Sequence, residues 1–233
     1  MFADDTRLHD SDKSECLPSL VAGMEACITD VKCWMTQNKL QLNDGKTEAL
    51  LISGKITTDF PRVICIGQNN IVFSHSVRNL GVMFDDKLSL SDQVTKVCQR
   101  AYLELRKIGH IRHYLTLHAT KTLVSSLVLS HLDYCNILLA GLPRKQTDKL
   151  QRVQNCAARL VYKISKQSHV TPLLIKLHWL PISERIEYKI AMICNNIYCN
   201  SAPHYLSELL HLYKPSRSSL LFFRHSRVHH SKL

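Results

Sequence analysis

The chain has 233 residues, of which 45% are apolar, enough for one hydrophobic core or two small ones. It carries 30 Lys and Arg against 19 Asp and Glu, a formal net charge of +11. No apolar run approaches the ~20 residues of a membrane-spanning helix, and the acidic first residues carry no apolar leader. These features exclude a helical membrane span and a secretory leader, and they predict an intracellular protein, nuclear or cytoplasmic and not secreted.

In chain order, the first feature is Phe2-Ala3-Asp4-Asp5. Two adjacent carboxylates on a turn can ligate divalent metal, and a two-metal site stabilises both the attacking and the leaving oxygen of a phosphoryl displacement. A hard cation such as magnesium wants near-octahedral oxygen coordination, so further ligands are needed. No strand precedes the turn to supply them. Taken by themselves, Asp4 and Asp5 more often describe a solvated acidic turn.

Residues 17–37 place Leu17, Leu20, Val21, Met24, Ile28, Val31 and Trp34 at steps of three or four, which predicts an amphipathic helix. Asn43-Asp44-Gly45 marks a turn, and residues 48–53 read as a strand. Gly45-Lys46-Thr47 is not a phosphate-binding loop, because Leu40 stands where that motif needs glycine. Between residues 61 and 90, three short apolar runs alternate with turn residues: Val63-Ile64-Cys65-Ile66, Ile71-Val72-Phe73 and Leu80-Gly81-Val82-Met83-Phe84. They predict two or three strands, with a hairpin tip at Gly67-Gln68-Asn69-Asn70.

From Ser91, read as an N-cap, the period becomes helical. Val94, Val97, Ala101, Leu105, Ile108 and Ile111 form an apolar stripe, with Lys96, Arg100 and Lys107 together on a neighbouring face. A second helix is predicted over 117–132 and a third over 145–164, separated by Gly141-Leu142-Pro143. On the third, Lys145, Lys149, Arg152, Arg159 and Lys163 fall within a stripe about 80° wide, beside an inward face of Val153, Ala157, Leu160, Val161 and Ile164. Such a stripe is either an ordinary solvated face or a phosphate-binding one; the near absence of acids along it favours the second. A fourth helix is predicted over 182–198. Trp179 reads as a core anchor, not a stacking platform. From about residue 201 the chain turns into a basic, His-rich tail expected to be partly disordered.

Nine cysteines at irregular spacing fit reduced thiols better than a disulfide framework. Cys27 with Cys33 and Cys194 with Cys199 are the only pairs close enough to consider. Cys194, Cys199, His204 and His211 match no zinc-site spacing, and His229-His230 reads as tail polarity. His-Glu-x-x-His, Gly-x-Ser-x-Gly and dinucleotide-binding motifs are absent. Charge is uneven: residues 1–60 carry 6 basic and 10 acidic side chains, and residues 61–233 carry 24 and 9. An acidic front followed by a basic helical segment suits a nucleic-acid binder, since phosphate attraction dominates non-specific affinity.

An ordered set of motifs runs through nearly the whole chain. After the aromatic-Ala-Asp-Asp run come Val31-Lys32-Cys33-Trp34-Met35, Asn38-Lys39-Leu40-Gln41-Leu42-Asn43 and Lys46-Thr47-Glu48. Then follow Asn79-Leu80-Gly81-Val82-Met83-Phe84-Asp85, Leu132-Asp133-Tyr134-Cys135-Asn136 and Gly141-Leu142-Pro143. The set closes with Leu150-Gln151-Arg152-Val153-Gln154-Asn155-Cys156-Ala157-Ala158-Arg159-Leu160-Val161 and Leu177-His178-Trp179-Leu180-Pro181-Ile182. In this order and spacing the chain resembles the C-terminal part of a non-LTR (LINE-like) retrotransposon reverse transcriptase.

The resemblance implies an α+β fold: a C-terminal fragment of a polymerase palm over residues 1–90, a helical thumb over 91–200, and the tail over 201–233. It implies RNA-directed DNA polymerisation with Mg2+, on an RNA template and a DNA primer. In that role Asp4 would hold metal, Asp5 would assist, and Lys46 is a candidate acid for departing pyrophosphate. Residues 79–85 correspond to the strand beside the primer-gripping hairpin. Lys96, Arg100, Lys107, Lys145, Lys149, Arg152, Arg159 and Lys163 become candidate nucleic-acid contacts. The family's fingers and first catalytic aspartate lie N-terminal to the turn and are not in this sequence. The polypeptide alone is therefore expected to be inactive, with Met1 an internal methionine and an upstream polymerase segment a possible partner. The alternative function is a non-catalytic basic helical module that binds RNA or DNA phosphates.

Overall fold

A computed structural model describes residues 6–13, 16–53, 63–67, 69–199 and 201–208. Within them the chain is mostly helical, with two separate two-stranded antiparallel sheets, a mixed composition compatible with α+β. Two compact units divide it, Met1–Glu187 and Tyr188–Leu233. No helix among the described residues is long and apolar enough to cross a membrane.

The first unit begins with α1, Leu17–Gln37, the helix that the apolar spacing predicts, with Pro18 in its first turn, where a missing N–H costs nothing. Its inner face meets the hairpin of β1 (Val63–Ile66) and β2 (Asn69–Val72), and Val21, Ile64 and Ile66 form a small core against Ile28, Leu42, Ala49, Ile71 and Phe73. Glu25 reaches across from α1 to accept the Cys65 N–H at 2.6 Å. The predicted hairpin tip is shorter than expected: Ile66 pairs with Asn69, so Asn69 and Asn70 already belong to β2. The strand expected at 48–53 does not form. Ala49 bridges to Phe73 and accepts the Ser74 N–H at 2.9 Å, and Ser53 N–H donates to the Asp86 carbonyl at 3.4 Å. Among the described residues no strand runs alongside this segment, and the strands that do form make two separate hairpins.

The second hairpin joins β3 (Ser76–Asn79) to β4 (Val82–Asp85) through Leu80 and Gly81, both at positive φ (46° and 83°), the backbone of a tight primed turn. It docks on α2, Ser91–Ile111, where Gln93 accepts the Met83 N–H at 2.9 Å. Ser91 is the first helical residue and not the cap, which falls at Leu90 in the left-handed region. Asp85 instead fixes the approach to the helix, its carboxylate accepting from the Ser89 and Leu90 N–H groups at 2.9 and 2.7 Å. Ser89 Oγ in turn accepts the Ser91 N–H. Burial acts to raise the Asp85 pKa, but the hydrogen bonds from Ser89 and Leu90 outweigh it and hold this carboxyl below the usual aspartate value.

The helix predicted over 117–132 is realised as α3 (Leu117–Val124), a π-turn at Ser125–Leu129, and α4 (Ser130–Asp133). α5 spans Arg144–Tyr162, and α7 spans Ile182–Tyr198 as predicted; the unit boundary falls within α7. Between them lies a short helix the sequence reading lacked, α6, Thr171–Leu177, with Pro172 in its first turn. Val94, Ala101, Ile108, Val124, Leu132, Leu150, Val153, Ala157 and Val161 are buried in this helical core, and Trp179 is buried as the anchor expected.

Several buried polar groups knit the helices. Gln154 donates to the Leu180 carbonyl at 2.8 Å, and Gln151 accepts the Ile182 N–H at 2.8 Å, fixing the turn from α6 into α7 on the side of α5. Arg185 binds both carboxylate oxygens of Asp133 at 2.7 and 2.8 Å. Arg112, only 8% exposed, donates to the Leu160, Val161 and Leu115 carbonyls at 3.0, 2.6 and 2.9 Å. In the second unit, the rest of α7 is followed by α8, His204–Ser207, so residues 201–208 are more ordered in secondary structure than the predicted tail; the remainder of that tail lies outside the described residues.

Candidate nucleic-acid interface

The acidic turn does not enter the geometry, because Asp4 and Asp5 lie outside the described residues. As hard oxygen donors they suit magnesium chemically. Among the described residues, however, no group of three or more His, Cys, Asp or Glu is placed to hold a metal ion, so no reaction step is assigned to one. Lys46 ends the 3-10 turn Asp44–Lys46 and is exposed. All nine cysteines are free thiols. His211 lies outside the described residues.

The most developed site is a cleft of about 450 Å³ between the β3–β4 hairpin, the first half of α2, and α4. Its walls carry Arg78 from β3, Lys96 and Arg100 one turn apart on α2, His131 from α4, and Tyr134 just after α4, over an apolar base that includes Met83 and Val97. Among the described residues no carboxylate lines it. Local chemistry sets each position. Arg78 points out of a two-stranded hairpin whose other face covers α2, and residues four apart on a helix necessarily share a face. Tyr134 donates its hydroxyl to the Leu80 carbonyl at 2.6 Å, which braces a turn holding a leucine at positive φ. At Gly81 an added Cβ would lie 3.6 Å from the Tyr134 ring and 4.0 Å from Arg78 Nη2, so both side chains lie close to the turn. Three permanent cations facing one solvent-filled space make a focused positive field.

The eight cations anticipated from sequence do not form one surface. Lys96 and Arg100 enter the cleft. Lys107 is on the same side of α2 but pairs with Glu104 at 2.7 Å. Lys149 and Arg152 lie beside Cys98: burial pushes that thiol's pKa up, and these two charges pull it partly back. Cys98 is about 160–200° around α2 from Lys96 and Arg100, which puts the α5 cations at the opposite edge of the helix from the cleft. Lys145 is exposed near the start of α5, next to Arg144, which is 3.9 Å from Asp148. Arg159 is committed to the Ser168 carbonyl (3.1 and 3.4 Å), tying down the loop after α5. Lys163 is the left-handed C-cap of α5, so the helical angle assigned to it from sequence stops applying there.

Sequence reasoning missed Arg78, His131 and Tyr134 as site residues. β3 is too short for its alternation to register, and Tyr134 lies beyond a helix end, where no period applies. The one available signal was Leu80-Gly81, a turn that obliges the residues before it to pair with those after it. Comparison with protein-family models, with curated proteins and with solved structures gave no match for this chain.

Proposed function

We propose that the chain is part of a non-LTR retrotransposon reverse transcriptase and that its own activity is non-catalytic: it holds RNA or DNA through the phosphate backbone. The family half of this reading rests on the order and spacing of the motifs quoted above. The binding half rests on one observation, the carboxylate-free cleft in which Arg78, Lys96 and Arg100 face common solvent. Charge distribution supports it, since residues 61–233 hold 24 of the 30 Lys and Arg. Phosphate oxygens are acceptors only, arginine offers them a bidentate fork, and lysine a mobile point charge, so this set suits a backbone whose sequence it does not read.

Fluorescence anisotropy with an end-labelled oligonucleotide at low salt tests the binding half. Lys96→Ala/Arg100→Ala is expected to weaken binding about tenfold or more, and Arg159→Ala, whose side chain is occupied by Ser168, to act through stability only. Unchanged affinity in the double variant contradicts the assignment. Primer extension by the purified chain with magnesium is expected at background; incorporation abolished by Asp4→Asn contradicts the non-catalytic claim.

A further inference from the structure

We infer that the cleft accommodates a single unpaired nucleotide, with its base stacked on Tyr134 and its phosphate held by Arg78, Lys96 and Arg100. This rests on the phosphate-binding reading and adds what the cleft selects.

Size comes first. A cleft of about 450 Å³ falls in the range of small-ligand sites, roughly 300–1,000 Å³, and admits one nucleotide, whereas a duplex can only lie across its mouth. The second argument is the aromatic. Tyr134 lines the cleft and is 53% exposed, while its hydroxyl is fixed on the Leu80 carbonyl at 2.6 Å. The ring thus presents an open π-face without the rotamer freedom that stacking would otherwise have to remove. The third is placement. A Cβ added at Gly81, where φ is +83°, would lie 3.6 Å from the Tyr134 ring and 4.0 Å from the Arg78 guanidinium, so ring and cation lie near one point of the turn. Lys96 and Arg100 stand in the same cleft on α2, and Gln99 supplies an amide for a base edge. An exposed aromatic next to several cations, with no acid in the walls, is the chemistry that recognises a nucleotide with a free base face and an anionic phosphate. Two base-paired strands would present phosphate without such a face.

The nucleotide could be free or part of a strand, and fluorescent probes separate these. The full chain is titrated into a single strand carrying one 2-aminopurine, into the same strand in a blunt duplex, and into free 2-aminopurine nucleoside monophosphate. Stacking on Tyr134 is expected to quench the single strand and to favour it about tenfold over the duplex. Tyr134→Leu should abolish the preference by weakening the single strand more than the duplex, and Tyr134→Phe, which keeps the ring but loses the bond to Leu80, should retain most of it. Quenching of the free monophosphate as well assigns the cleft to free nucleotides; quenching in the strand alone assigns it to strand ends or single strands. Should Tyr134→Leu disturb the hairpin, wild-type quenching still decides. Absence of quenching in both unpaired probes, with single strand and duplex bound equally, overturns the stacking inference while phosphate binding survives; absence of any binding overturns both.

Discussion

Replacing Arg112 with alanine would test how the helical half is held in shape. Its guanidinium is buried at the end of α2 and makes three hydrogen bonds to carbonyls, two of them on the last turn of α5. Those carbonyls belong to the helix end, where intrahelical donors run out and the dipole is negative, so a buried cation there is neutralised by the helix itself. A hydrogen bond from a charged group contributes about 1.5–3 kcal/mol net, and orphaned carbonyls and a void add to the loss. Arg112→Ala should therefore cost about 3–5 kcal/mol, a large part of the roughly 5–15 kcal/mol typical of a domain. Arg112→Lys keeps the charge but not the fork, and should recover only part. Urea unfolding followed by far-UV circular dichroism would read this as a lower midpoint at unchanged slope. Arg106→Ala, on the exposed side of α2, serves as the control, with an expected change within about 0.5 kcal/mol. Should Arg112→Ala match that control, water satisfies the carbonyls as well as arginine does, and the argument fails.

Three further outcomes follow from named contacts. Asp85 has a depressed pKa, so its contribution is complete above the ordinary aspartate value of 3.8 and is lost as pH falls through the lower folded value. Wild type should accordingly lose stability more steeply than Asp85→Asn in acid below that value, and parallel acid-melting curves would refute it. A double-mutant cycle on Arg185 and Asp133 should return about 1 kcal/mol, since the carboxylate is 37% exposed and the pair is partly screened; a coupling of zero removes its role in joining α4 to α7. Gln154→Leu, which removes one of two donors to the Leu180 carbonyl and leaves Arg185 Nε at 2.8 Å, should destabilise by about 0.5–1.5 kcal/mol in the same urea assay, and a stabilised variant would show that this buried amide is dispensable.

Helix positions were legible where the period ran long. α1 and α7 have the predicted bounds, and α2 and α5 differ by a residue or two at most, because apolar residues at steps of three and four must share a face. Short elements were not. β3 and α6 span four and seven residues, too few to show a period, and segment 48–53 carries strand-like residues that find no continuous partner. Ser91 is helical and not the cap because the helix starts one residue early, after Leu90 in the left-handed region held by the Asp85 carboxylate from β4, a tertiary contact invisible in the local sequence. The candidate site was half legible. The spacing of Lys96 and Arg100 placed them together on one face, but their companions arrive from a hairpin and a helix end. The α5 stripe holds as an angle from Lys145 to Arg159 and ends before Lys163, the left-handed C-cap, and Arg159 is occupied by a loop that sequence could not position.

The central claim is that the cleft cations neutralise phosphates, and the salt dependence of binding tests it most directly. Oligonucleotide affinity would be measured from about 50 to about 300 mM salt for wild type and for Arg78→Ala/Lys96→Ala/Arg100→Ala. With single strands each neutralised phosphate adds about 0.7 to the slope of log affinity against log salt, so losing three contacts should flatten it by about 2. Parallel lines for the two proteins would show that the cleft does not engage the backbone.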